Sequence, residues 1–110
     1  MDERQRRIGE NEALFRSVNE KVQKLGGAFS TSTDTFVIVC ECGTQSCMEH
    51  IELQPAEYER VRHNPLHFLI KPGHEFREAE EVIERTDRYW VVEKGSGTPA
   101  AVARATDPRS

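Results

Sequence analysis

The sequence predicts an α+β fold: a small sheet of about four strands, an N-terminal amphipathic helix with two further helices, and a metal knuckle at a strand end. Three observations predict it. Residues 2–25 contain no proline and repeat apolar residues at helical spacing. Short runs rich in β-branched and aromatic residues follow at 35–40, 66–70 and 89–93, separated by turn signals. Three cysteines then fall within the eight residues from Cys40 to Cys47.

In the first helix, Ile8, Phe15, Val18, Val22 and Leu25 recur at steps of three, four and seven, which places them on one face. Gly26-Gly27 stops it, because glycine adopts the left-handed conformation that helix C-termini use. Phe15, Val18, Val22 and Leu25 also read as two heptad steps, so the helix either packs on its own domain or forms a homodimer seam. This helix and its linker make up residues 1–29. Ser30 to Asp34 is a polar connection.

The core, residues 30–94, starts with a strand over Thr35-Phe36-Val37-Ile38-Val39 that delivers Cys40 at its end. After the cysteine segment, His50-Ile51-Glu52-Leu53 reads as a short returning strand with Ile51 and Leu53 inward. Pro55, at the first helical position, opens a helix carrying Tyr58 and Val61 that ends near Asn64-Pro65. Leu66–Ile70 forms a strand closed by the turn signal Lys71-Pro72-Gly73. A third helix is expected from Glu75 to Arg85, with Ala79, Val82 and Ile83 on one face, and Tyr89–Glu93 forms the last strand. Residues 95–110, starting with Gly95-Ser96-Gly97-Thr98-Pro99 and ending alanine-rich, read as a flexible tail.

Composition narrows the role. A chain of 110 residues with 36% apolar and 31% charged residues supports one modest domain, to which a local cross-link would add stability. A net charge of -4 and a pI near 5.6 exclude a nucleic-acid surface, which depends on clustered Lys and Arg. No apolar stretch approaches the roughly 20 residues that span a bilayer, so no membrane association is expected. Met1-Asp2-Glu3-Arg4 runs into polar sequence without a signal region, and the expected location is cytoplasmic.

Cys40-Glu41-Cys42-Gly43-Thr44-Gln45-Ser46-Cys47 is a CxCx4C segment. Residues two apart in an extended chain project to one side, so Cys40 and Cys42 can share an ion, and Gly43 permits the turn that returns Cys47. An odd number of cysteines fits a disulfide framework badly and fits thiolates in a reducing compartment well. Zinc takes four N/S ligands in structural sites, so one is missing. His74, presented by the turn at Pro72-Gly73, is the first candidate; His50, three residues after Cys47, would close the site locally. His63 and His67 flank Asn64-Pro65, where surface roles are commoner. Free cysteines are otherwise small buried core residues. Four filled positions leave no place for an activated water, so such an ion is structural. The chain carries no GxSxG, HExxH, GxGxxG or Walker-type loop, and no catalytic set is recognisable.

Asn11-Glu12, Phe15-Arg16, Val18-Asn19-Glu20, Cys40-Glu41-Cys42 with Cys47, Glu57–Arg62, Pro72-Gly73-His74-Glu75 and Tyr89–Lys94 together resemble a group of short uncharacterised bacterial proteins, chiefly actinobacterial. The resemblance covers most of residues 4–94. It implies no activity, but it implies that Pro72-Gly73-His74-Glu75 belongs with the cysteine segment as one unit. The cysteines are also similar, more distantly, to CDGSH-type iron–sulfur proteins, which hold a [2Fe–2S] cluster with a CxC pair, a further cysteine and a histidine. That resemblance would make Cys40, Cys42 and Cys47 the thiolates and His50 the imidazole. The gap before Cys47 is shorter here, and Met48-Glu49 stands where Asp-Gly is expected.

These readings lead to a small intracellular protein with a structural zinc site of three cysteines and one histidine, acting as an interaction or regulatory module with a protein partner. The alternative is a redox or iron–sulfur sensor that uses the same cysteines.

Overall fold

The structure, a computed structural model, describes residues 3–27, 35–44 and 46–109; the polar connection expected at 30–34 and the side chain of Leu25 lie outside the described residues. The chain is α+β. In order it forms α1 (Glu3–Gly27), β1 (Phe36–Val39), β2 (His50–Leu53), α2 (Pro55–Arg62), β3 (His67–Ile70), β4 (Glu80–Arg85), β5 (Trp90–Lys94) and α3 (Thr98–Ala105). Among these residues no helix is long and apolar enough to cross a membrane.

The strands form two antiparallel sheets, β1-β2 and β3-β5-β4. In the first, Ile38 pairs with Ile51 and Val39 with His50; in the second, Leu69 pairs with Val91 and Phe68 with Val92. Phe68, Leu69 and Ile70 are all buried, as expected of a strand covered on both faces. Neighbouring residues project to opposite faces, so β3 and β5 serve two clusters. Leu69 and Val91 join Ile38, Ile51, Leu53, Tyr58, Val61 and Tyr89 between the sheets and α2. Phe68, Ile70 and Val92 join Cys40, Cys42 and Ala103 of α3.

Three expectations are corrected. The segment expected as a helix over 75–85 is a turn followed by strand β4. Its burial alternates from Glu80 to Arg85, with a bulge between Val82 and Glu84, and it forms a hairpin with β5. The turn is held by Thr86, whose N–H and hydroxyl both donate to the Tyr89 carbonyl, at 2.9 and 2.7 Å. Pairing with β5 and the β-branched pair Val82-Ile83 override the helical propensity of Glu78-Ala79-Glu80-Glu81. The segment expected as a flexible tail forms α3, with Pro99, Ala100 and Ala103 buried.

The third correction concerns the face that α1 presents. Ile8 is buried and Phe15 and Val22 are half-buried, but Val18 is 39% exposed and Leu14 56%. The buried stripe is Glu12, Ala13, Arg16, Asn19 and Glu20, at helical spacing. Buried polar groups persist only where partners meet them. Arg16 donates to the carbonyls of Pro65 and Ala103 at 2.7 and 2.8 Å and lies 4.4 Å from the Phe68 ring centre. Lys94 donates to Glu12 and, at 2.9 Å, to Glu80; the Tyr58 hydroxyl donates to Glu20 at 2.7 Å.

Candidate metal centre

Cys40 follows β1 and continues its ladder, donating its N–H to the Glu49 carbonyl at 3.0 Å. The chain stays extended through Cys42, so Cys40 and Cys42 share a side and are both buried. Glu41 between them turns the other way. Its carboxylate, fully buried, accepts hydrogen bonds from Asn19 Nδ2 at 2.8 Å and from the Leu69 N–H at 2.9 Å, while the Glu41 N–H donates to the Leu69 carbonyl at 2.8 Å. Arg62 stands 3.9 Å from that carboxylate. Glu41 thus fastens the cysteine segment to β3 and α1.

Gly43 then turns the chain under α1: a Cβ there would lie 2.5 Å from Ile8 Cγ2 and 3.1 Å from Phe76 Cε2, so only glycine fits. Cys47 returns by donating its N–H to the Thr44 carbonyl at 3.0 Å. The second arm is the turn Lys71-Pro72-Gly73-His74. Pro72 sits at its second position, Gly73 has φ +88° at its third, and the His74 N–H donates to the Lys71 carbonyl at 3.1 Å, a type II turn. This turn brings His74 Nδ1 to 3.5 Å from Cys40 Sγ and 3.7 Å from Cys47 Sγ.

One ligand atom from each of Cys40, Cys42, Cys47 and His74 lies within 4.8 Å of the others, an arrangement that can hold a metal ion. The Cys40 sulfur also receives a backbone N–H, from Lys71 at 3.2 Å. Such a donor favours the thiolate over the thiol. The hydrogen bond from the Cys40 thiol, with the Thr44 N–H, lowers the Cys42 thiol below the ordinary cysteine value against its burial. The same hydrogen bond, with burial, raises Cys40, and burial raises Cys47. Cys40 and Cys42 form the inner wall of the site. Cys47 and His74 border an open cleft of about 580 Å³ lined also by Thr44, Met48, Glu75 and Phe76.

All four residues expected as ligands, including His74, are brought together. The other histidines are not part of the group: His50 starts β2 with its side chain exposed, His63 is exposed beyond α2, and His67 pairs with Glu93 at 3.0 Å. Sequence reasoning missed Glu41, Asn19 and Arg62, which hold the cysteine segment in place. The alternation in Cys40-Glu41-Cys42 was the available signal, because it sends Glu41 to the side opposite the sulfurs. No family model, curated protein or solved structure matches the chain.

Proposed function

We propose that Cys40, Cys42, Cys47 and His74 hold one structural zinc ion, and that the protein is a non-enzymatic interaction or regulatory module of the cytoplasm. One observation carries the reading: three sulfurs and one imidazole nitrogen from two distant segments converge within 4.8 Å. Zinc bonds of about 2.3 Å to sulfur and about 2.0–2.1 Å to nitrogen give tetrahedral S···N edges of about 3.6 Å. The distances of 3.5 and 3.7 Å to His74 Nδ1 match that edge. So compact a ligand set suits a single ion better than a two-iron cluster, whose ligands spread around two metals.

Elemental analysis of the purified protein, read together with its visible absorbance, tests the proposal. One zinc per chain and a colourless solution are expected. Iron with visible absorbance would instead support the iron–sulfur sensor, and thiols that carry no metal would overturn both. Cys42→Ser removes a buried ligand and should abolish zinc retention.

A further inference from the structure

We infer that the metal holds the helical layer of α1 and α3 against the sheets, so that losing the metal releases this layer while the core between the sheets and α2 stays folded. The inference rests on the metal reading above. It follows from where α1 touches the rest of the chain.

The cysteine segment and α1 meet at three places. Ile8 and Gly43 pack with no room for a Cβ between them, and Asn11 Nδ2 donates to the Gly43 carbonyl at 3.0 Å. Asn19 pairs with the residue that precedes Cys40: its Nδ2 donates to the Val39 carbonyl at 2.8 Å and its Oδ1 accepts from the Val39 N–H at 2.8 Å. Asn19 Nδ2 also donates to Glu41, between the two inner cysteines. Each contact requires the backbone from Val39 to Gly43 to keep its shape, and that shape brings Cys40 and Cys42 to the ion.

The rest of the α1 interface is a weak hold. Its buried side chains are chiefly Glu12, Arg16 and Glu20. Buried ion pairs and hydrogen bonds exchange for hydration with little net gain, unlike an apolar stripe. Glu12 Oε2 and Arg16 Nε have no hydrogen-bond partner among the described residues. Helix α3 goes with α1: Gly9 packs against Val102, and Arg16 donates to the Ala103 carbonyl and to Thr106 Oγ1. The cluster formed by Ile38, Ile51, Leu53, Tyr58, Val61, Leu69, Tyr89 and Val91 contains no residue of α1, α3 or the knuckle. A unit with its own buried cluster can stay folded when a neighbouring layer opens.

Hydrogen exchange on the full-length reduced chain, zinc-loaded and after zinc removal by a chelator, tests the inference. Amides of residues 3–24 and 98–105 should lose protection without zinc, while those of 51–61, 69 and 91 keep theirs. If zinc binds but its removal leaves α1 protected, or loosens all these segments alike, the inference falls and the metal reading stands. If the chain neither carries nor takes up zinc, both fall. Ile8→Ala leaves every ligand in place; it should keep one zinc per chain and still raise exchange in α1, whereas unchanged exchange in that variant counts against the inference.

Discussion

Cys40 and Cys42 sit at the inner side of the site and Cys47 and His74 at its mouth, so the four candidate ligands are not equivalent. Replacing His74 by alanine leaves three thiolates and an open fourth position. Zinc affinity, measured by competition with a chromogenic chelator, should fall by more than the roughly 100-fold that loss of an outer partner costs. His50→Ala, at an exposed position outside the group, should leave affinity unchanged; the opposite ranking would reassign the fourth ligand. Glu41 acts on the other side of the same backbone. Removing its carboxylate with Glu41→Ala strands the Leu69 N–H and takes one partner from Asn19 and from the buried Arg62. Urea denaturation should show a loss of about 3 kcal/mol or more, the scale for breaking a buried polar network. Glu12 gives a pH signature. Burial, reinforced by the hydrogen bond and charge of Glu80, holds its carboxyl well above the usual carboxylate range, against the pull of Lys94. The folded chain therefore retains a proton that the unfolded chain has released. This stability is complete below the ordinary carboxylate value and is lost as pH rises through the raised folded value. Urea melts of Glu12→Gln across that window should show a flatter pH dependence than those of the unaltered chain, and an unchanged slope would place the titration elsewhere.

At the scale of elements, α3 is the clearest test of how the layers are joined. Deleting residues 98–110 removes the Ala103 carbonyl and Thr106 hydroxyl that receive Arg16 and uncovers the cluster around Phe68. Thermal melts should show a marked loss of stability, on the order of 3 kcal/mol or more, since a buried guanidinium loses partners; a true flexible tail would cost nothing. The elements themselves were unequally legible. β1, β2, β3 and β5 were readable because β-branched runs bounded by turn residues have few other local solutions, and α2 because Pro55 marks a helix start. Glu75–Arg85 was not, because Ala79 and its glutamates favour a helix locally while the partner that makes Glu80–Arg85 a strand, β5, comes later in the chain. The face of α1 was misread for a related reason: Glu12, Arg16, Asn19 and Glu20 are normally solvent residues, and distant partners that include Lys94, Tyr58, Val39 and the Pro65 carbonyl make their burial tolerable.

For the whole molecule, a metal bound by the folded chain alone ties stability to free metal concentration. In zinc buffers above the dissociation constant, stability should rise by about 1.4 kcal/mol for each tenfold increase in free zinc. Differential scanning calorimetry should show the midpoint climbing accordingly, and a midpoint indifferent to free zinc would contradict a site that belongs to the native state. The sequence by itself determined the make-up of the candidate site: the CxCx4C spacing places three sulfurs close along the chain, Gly43 permits the turn, and Pro72-Gly73 sets up a tight bend before His74. These are local features, governed by backbone geometry over a few residues. The tertiary structure alone decided that His74 rather than His50 reaches the sulfurs, that Glu41 anchors the knuckle, and that α1 and α3 cover it with a buried layer of paired polar groups. Those outcomes depend on which distant groups meet, and a buried charge cannot be told from a solvated one until its partners are in place.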